Sequence, residues 1–213
     1  GISRVYKVYA RTANLQKRDA AGLLPIWSGT ISKERAAALV KLITDPAHFW
    51  LTNGVTMISA QDEAFNSVKT GEGGGIWTYW ATLIGEGLID YGYHAEALEL
   101  FKRIVRVQIA VLKQKHAFSE FYHTSQPTGL GEEGHLAGLI PLHLFHRLTN
   151  IFILSPDQVR TGGVFAWNAP ITVQAHGVTV NRSIAGTTIV FPGNHTVKLP
   201  PDAPLTIITP RTL

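Results

Sequence analysis

The sequence predicts a mainly α fold that ends in a small antiparallel β segment. Apolar residues recur at helical spacing in four stretches between Ser32 and Leu148, and the two longest stretches are separated only by Gly92-Tyr93. From Ile151 onward, short β-branched runs broken by turn residues replace that pattern. A link as short as Gly92-Tyr93 forces its flanking helices to lie antiparallel, so the helical part is expected as helical hairpins.

Along the chain, RVYKVY from Arg4 to Tyr9 alternates and predicts a short strand, followed by a polar turn region through Asp19. AGLLPIWSG, with Pro25 and two glycines, is a connector. SKERAAALVKLI supplies Ser32 as N-cap and sets Ala36, Leu39, Val40 and Ile43 on one face. This helix stops at Asp45-Pro46, because proline pushes the residue before it out of the helical region.

Residues 47–75 form a long loop carrying Phe49 and Trp50 and running into GEGGGIW. Loops of that length inside a domain are usually functional. A helix over Ile76–Tyr91 buries Trp77, Trp80, Ile84 and Leu88, and a second over Ala95–Lys113 buries Leu98, Phe101, Val105, Ile109 and Leu112. The stretch AFSEFYHTSQPTG is expected as a loop, and a shorter helix follows around Leu139–Leu148, with Pro141 in its first turn. ITVQAH, VTVNRS, TTIVFP, HTVKLP and PLTIIT then build the antiparallel sheet. Two parts are expected, 1–150 and 151–213.

The chain of 213 residues is 45% hydrophobic and 16% charged, which is a globular composition with material for a sizeable core. It has no cysteine, so disulfides, thiolate metal sites and cysteine nucleophiles are excluded. The formal charge of +4 is modest, and the cluster Lys102, Arg103, Arg106, Lys113 and Lys115 falls on the polar face of a helix. Without a basic stripe interleaved with exposed aromatics the sequence speaks against nucleic acid, and no apolar run is long enough to span a bilayer.

The glycines before Trp77 lack the Gly-Lys-Ser/Thr of a phosphate loop, so they are expected to permit close backbone approach beside a pocket. His143 and His146 sit three apart on a helix, but no carboxylate accompanies them at ligand spacing, and neither a metal nor a cofactor is expected. There is no Gly-x-Ser-x-Gly elbow. Asn181-Arg-Ser and Asn194-His-Thr match a glycosylation sequon that arises often by chance. What stands out is Glu120, an acid set among Phe118, Phe121, Tyr122 and His123. Rings beside a carboxylate raise the cost of its charge, and they occur together where a ligand or a reaction uses both.

The order of these pieces resembles the C-terminal half of the catalytic domain in a clan of inverting glycosidases that includes processing α-glucosidase I, mannosylglycerate hydrolase and trehalase. AGLLPIWSG, TDPAHFW, NGVTMIS, the Ile76-Trp77 helix start with Gly87 and Tyr91-Gly92-Tyr93, and FSEFYHTSQPTG carry it from about Gly22 to Gly129. The resemblance implies the C-terminal portion of an (α/α)6 toroid and a glycoside or oligosaccharide substrate. It passes the general-base role to Glu120 and a sugar-lining role to Trp77. Tyr122 and His123, among the groups around the base, are expected as further substrate contacts. The general acid of that clan lies on an upstream Trp-Asp loop absent from this sequence, so a missing N-terminal part, on the same or a separate chain, is expected to supply it. The chain departs from the clan at Glu72, Gly73 and Gly75, again at Phe121 and His123-Thr124, and at Gly134-His135-Leu136, so specificity does not carry over.

Overall fold

The computed structural model describes residues 17–70, 73–167 and 169–210. The strand expected at Arg4–Tyr9 lies outside them. Five α-helices run in order among the described residues: α1 (Pro25–Ser28), α2 (Lys33–Ile43), α3 (Thr78–Asp90), α4 (His94–Lys115) and α5 (Leu142–Thr149). Helix α2 starts where Ser32 accepts the Arg35 N–H at 3.3 Å, carries Glu34 in its first turn and Lys41 in its last, and buries Ala36, Val40 and Ile43.

Helices α3 and α4 form the expected hairpin around Gly92, and two glycines of α3 let its neighbours close in. A Cβ on Gly87 would meet the Ile26 backbone at 2.7 Å, and one on Gly85 would meet Leu144 Cδ2 at 2.7 Å. Helix α4 buries the expected Leu98 and Phe101 but departs from the expected stripe further along. Leu100, Ile104, Val107 and Val111 are buried, Val105 and Leu112 are only partly covered, and Ile109 is 41% exposed. Both stripes are apolar, and contact with α3 on one side and a strand pair on the other selects between them. The main core gathers Leu23, Ile26, Val40, Ile43, Phe49, Ile84, Leu88, Leu100, Ile104, Leu144 and Leu148.

The chain is not mainly α. It is 36% helical and 26% strand, with four antiparallel sheets among the described residues. Two of these are strand pairs inside the helical half: β1 (Trp50–Leu51) with β2 (Gly54–Val55), and β3 (Ser119–Tyr122) with β4 (Gly129–Glu133). The others follow α5. Strands β5 (Ile151–Ser155) and β6 (Gln158–Thr161) pair, and β11 (Thr206–Ile208) joins β6 to complete one sheet. The second sheet runs β10 (Thr196–Leu199), β9 (Gly186–Val190), β8 (Val178–Ser183), β7 (Ile171–Ala175). The two sheets share one core of Ile151, Val159, Val178, Val180, Ile189, Phe191, Val197 and Ile208. The mainly α reading, and with it the toroid segment, fails on the strand pairs between the helices and on β5–β6, whose turn is the unassuming Pro156-Asp157.

Candidate active site

Backbone pairing draws four separated segments into one ladder. Ile76 N–H donates to the Tyr122 carbonyl at 2.7 Å and Tyr122 N–H returns to the Ile76 carbonyl at 2.9 Å. Thr56 bridges Ile76 from the other side, and Tyr122 pairs with Gly129 of β4. The glycine run allows this approach: Gly74 adopts a φ of +124°, and a Cβ there would meet the Phe65 ring at 2.8 Å. Asn53, buried, pins the turn after β3 by donating from Nδ2 to the carbonyls of His123 at 2.8 Å and Gln126 at 2.9 Å. The positions of residues 76–77 and 119–122 are therefore fixed by main-chain bonds, which hold a side chain's root better than packing alone.

Glu120 is not in a loop. It occupies β3 at a bulge, since Ser119 pairs with Glu133 and Phe121 with Leu130, leaving Glu120 alone opposite Gly131 and Glu132. Its carboxylate accepts the Glu132 N–H at 3.4 Å and the side chain is half-buried. Gly131 has a φ of +75°, and a Cβ there would sit 2.6 Å from Glu120 Oε2 and 3.4 Å from Phe121 Cδ2. Any other residue would be strained at that φ, and its Cβ would push the carboxylate aside. The hairpin is tied to the end of α4 by Lys115 Nζ, 2.5 Å from Glu133 Oε1.

Trp77 lies immediately before α3 rather than within it, and its ring meets Phe121 with centroids 5.3 Å apart. Tyr79 at 6.0 Å and Trp80 at 6.2 Å extend the cluster, and Tyr79 is 57% exposed. The indole N–H of Trp77 is buried with no hydrogen-bond partner among the described residues. Trp77 thus meets the strand that carries Glu120 at Phe121, the next residue along it.

Tyr122 and His123, expected as substrate contacts, are both buried among the described residues. Tyr122 is 0% exposed; its hydroxyl donates to the Gly138 carbonyl at 2.8 Å and accepts the Ser119 N–H at 3.3 Å. Burial pushes its phenol pKa up, so it stays a protonated donor at neutral pH. His123 is 7% exposed, and its Nδ1 accepts the N–H groups of Ser125 at 3.1 Å and Gln126 at 3.0 Å. Both residues face the protein and shape the hairpin from behind.

Sequence reasoning passed over Gln108. It sits on α4, fully buried, and its Nε2 lies 3.1 Å from Thr78 Oγ1, 2.8 Å from the Gly138 carbonyl and 3.1 Å from the Leu139 carbonyl. A glutamine amid a run of apolar helix residues was the available signal. His143 and His146 do not converge: His143 Nε2 is 3.5 Å from Glu86 Oε1, whereas His146 Nδ1–H donates to the Ile151 carbonyl at 2.9 Å. Among the described residues no group of three or more His, Asp or Glu could hold a metal ion, and no helix is long and apolar enough to cross a membrane.

Comparison with known proteins gives the ladder a context. A mannosylglycerate hydrolase from Thermus thermophilus, solved in complex with glucose, superposes with a TM-score of 0.51 at 24% identity over 61% of this chain and 31% of that one. The same enzyme with Tris and D-glycerate superposes at 0.50 with 25% identity, over 61% of this chain and 29% of that one. A protein described as a sialidase matches more of the chain, 95% of it and 21% of its own, with a TM-score of 0.64 and 14% identity, so helices and β sheets occur together in one known fold. No curated protein matches. The chain spans about a third of the length of the mannosylglycerate hydrolase structures. The profile of the mannosylglycerate hydrolase MGH1-like glycoside hydrolase domain matches residues 3–136, which include the glycine run, Trp77, α3, α4 and the Glu120 hairpin. The chain belongs to that glycoside hydrolase family.

Proposed function

We propose that the protein carrying this chain is an inverting glycoside hydrolase, and that the chain supplies the base side of its site through Glu120. The observation that supports this most is the bulge: a half-buried carboxylate is held opposite Gly131, one residue from the ring that meets Trp77. A carboxylate so placed can accept a proton from water while the aromatic cluster covers the apolar face of a pyranose. In the reaction, the water oxygen bonds to the anomeric carbon as the glycosidic C–O bond breaks. One water proton passes to Glu120, and the leaving oxygen takes a proton from a second carboxylic acid. Inversion requires that second group at about 6.5–9.5 Å from the first, with room for water between them. The acid is proposed to come from a segment outside this sequence.

The test is Glu120→Gln in the natural protein that carries the chain, assayed on mannosylglycerate and on an aryl α-glucoside. Loss of the base should lower kcat by about 10²–10⁴-fold with little change in KM. The first product released from an α-glycoside should be the β-anomer, read by proton NMR. Wild-type rates in the variant remove Glu120 from the chemistry, and retention of configuration removes the inverting mechanism. Glycan binding by a wild-type protein that hydrolyses nothing would instead make this a binding module.

A further inference from the structure

We infer that Tyr122 and Gln108 are positioning residues for Glu120, acting through the Gly138 carbonyl; this rests on the base role proposed above. Glu120 lies between two anchored residues, Ser119 next to it and Tyr122 two positions on, and the Tyr122 hydroxyl links the first of them to Gly138. The Tyr122 oxygen accepts the N–H of Ser119, on one side of Glu120, at 3.3 Å, while its own O–H reaches the Gly138 carbonyl at 2.8 Å. The bulge explains why Ser119 uses a side-chain oxygen here, because the ladder register shifts between Ser119 and Phe121. On the other side of Glu120, Tyr122 is fixed to Ile76 through both backbone bonds. Gln108 Nε2 reaches the same Gly138 carbonyl at 2.8 Å and also touches Thr78 Oγ1, in the first turn of α3 directly after Trp77. Gly138 admits no side chain, for a Cβ there would collide with the Ser119 carbonyl and lie 3.2 Å from the Tyr122 oxygen.

One carbonyl thereby couples α4, the start of α3 and the strand that bears Glu120. The arrangement fixes the distance between the carboxylate's root and the indole's root from beneath, where no substrate reaches. A fold needing only stability would fill such a place with apolar side chains, whereas here Gln108 Oε1 and Ser119 Oγ are buried without partners among the described residues. The bonds that are made there, from Gln108 Nε2 and the Tyr122 hydroxyl to the Gly138 carbonyl and from the Ser119 N–H to the Tyr122 oxygen, lie in a buried network, and such bonds fix one arrangement of the segments they join.

The experiment measures kcat, KM and thermal unfolding for Tyr122→Phe and Gln108→Leu in the natural protein, each alone and combined with Glu120→Gln, using the better of the two substrates above. A displaced base should lower kcat about 10- to 100-fold and leave KM within about twofold, because ångström misplacement acts on the transition state. In the Glu120→Gln background neither substitution should lower the residual rate further, since no base remains to misplace. Equal losses with and without Glu120 would show a general structural role and overturn the inference. Wild-type kcat in both variants, beside an inactive Glu120→Gln protein, would overturn positioning alone. An active Glu120→Gln protein would instead remove the base reading on which the inference rests.

Discussion

Tyr122 and Arg182 are both almost wholly inside the protein, at 0% and 3% exposure, and they are satisfied in different ways. Arg182 projects from β8, and its Nη1 donates to the carbonyls of Thr149, Asn150 and Gly162 at 3.0 Å and to Thr161 Oγ1 at 3.2 Å, while Nη2 donates to the Gly163 carbonyl at 2.7 Å. The guanidinium also lies over the Phe165 ring at 5.1 Å. Carbonyl and hydroxyl oxygens replace the carboxylate that usually accompanies a buried charge, and burial pushes the Arg182 pKa down. Around Tyr122, by contrast, two polar atoms are left over. A saturated cluster knits the end of α5 to both β sheets, and its value is stability. The unsaturated cluster under Glu120 gives up some stability, the trade that the proposed base role would call for beside it.

The comparison breaks most visibly at Arg182. Arg182→Leu takes the donor from four carbonyls, those of Thr149 and Gly162 buried and those of Asn150 and Gly163 part-buried, and it should cost about 3–5 kcal/mol, near the upper end for single substitutions. Urea unfolding would show the midpoint fall at constant slope; a loss below 1 kcal/mol would mean that the carbonyls find other partners. Gly131→Ala comes next, and it should act on both properties. The φ of +75° costs an L-residue about 1 kcal/mol, and the new methyl displaces the Glu120 carboxylate now 2.6 Å away. Stability should drop by about 1–2 kcal/mol and kcat by about 10²-fold. A stable Gly131→Ala protein with wild-type kcat would show that the carboxylate needs no fixed place.

The same contrast marks what could be read from sequence. Helices α2 to α5 and strands β7 to β11 were legible because periodic apolar residues and turn residues define them locally, within a few residues at each end. The Glu120 hairpin was not. SEFY is too short to show alternation, GLGEE has neither a β-branched nor an aromatic residue, and β3 is held on its other side by a bridge to Ile76, distant in sequence. For the same reason Tyr122 read as a ligand contact: its composition suits a sugar, and only the closure of Gly138 over its hydroxyl shows that it faces inward. Arg182 gave no signal either, since an arginine in an alternating strand reads as solvent-facing until a second sheet covers it.

Ser119→Ala sharpens the comparison from the unsaturated side. The Ser119 hydroxyl is buried without a partner among the described residues, so its removal should leave stability unchanged or raise it by up to about 1 kcal/mol. Thermal unfolding would decide: a clear loss would mean that the hydroxyl has a partner after all, and the cluster would then be as saturated as that of Arg182.

The smallest effect separates the two regions by pH. His94 opens α4, and its pKa is lowered first by burial and then by the nearby Arg147 charge, with Glu96 opposing. A protonated imidazole also meets the positive end of the helix. Since the folded pKa lies below the free value of 6.5, the unfolded chain binds more protons in the window beneath 6.5. Stability contributed by the neutral ring is therefore complete above pH 6.5, declines as pH falls below it, and is gone once pH passes under the folded pKa. The helical half should lose hydrogen-exchange protection along α4 over that window, while β8, anchored by an arginine that stays charged, keeps its own. His94→Gln should abolish the α4 slope and leave β8 unaffected. Equal loss of protection in α4 and β8 on acidification would mean that the two polar clusters belong to one cooperative unit, and that the difference between them has no energetic boundary.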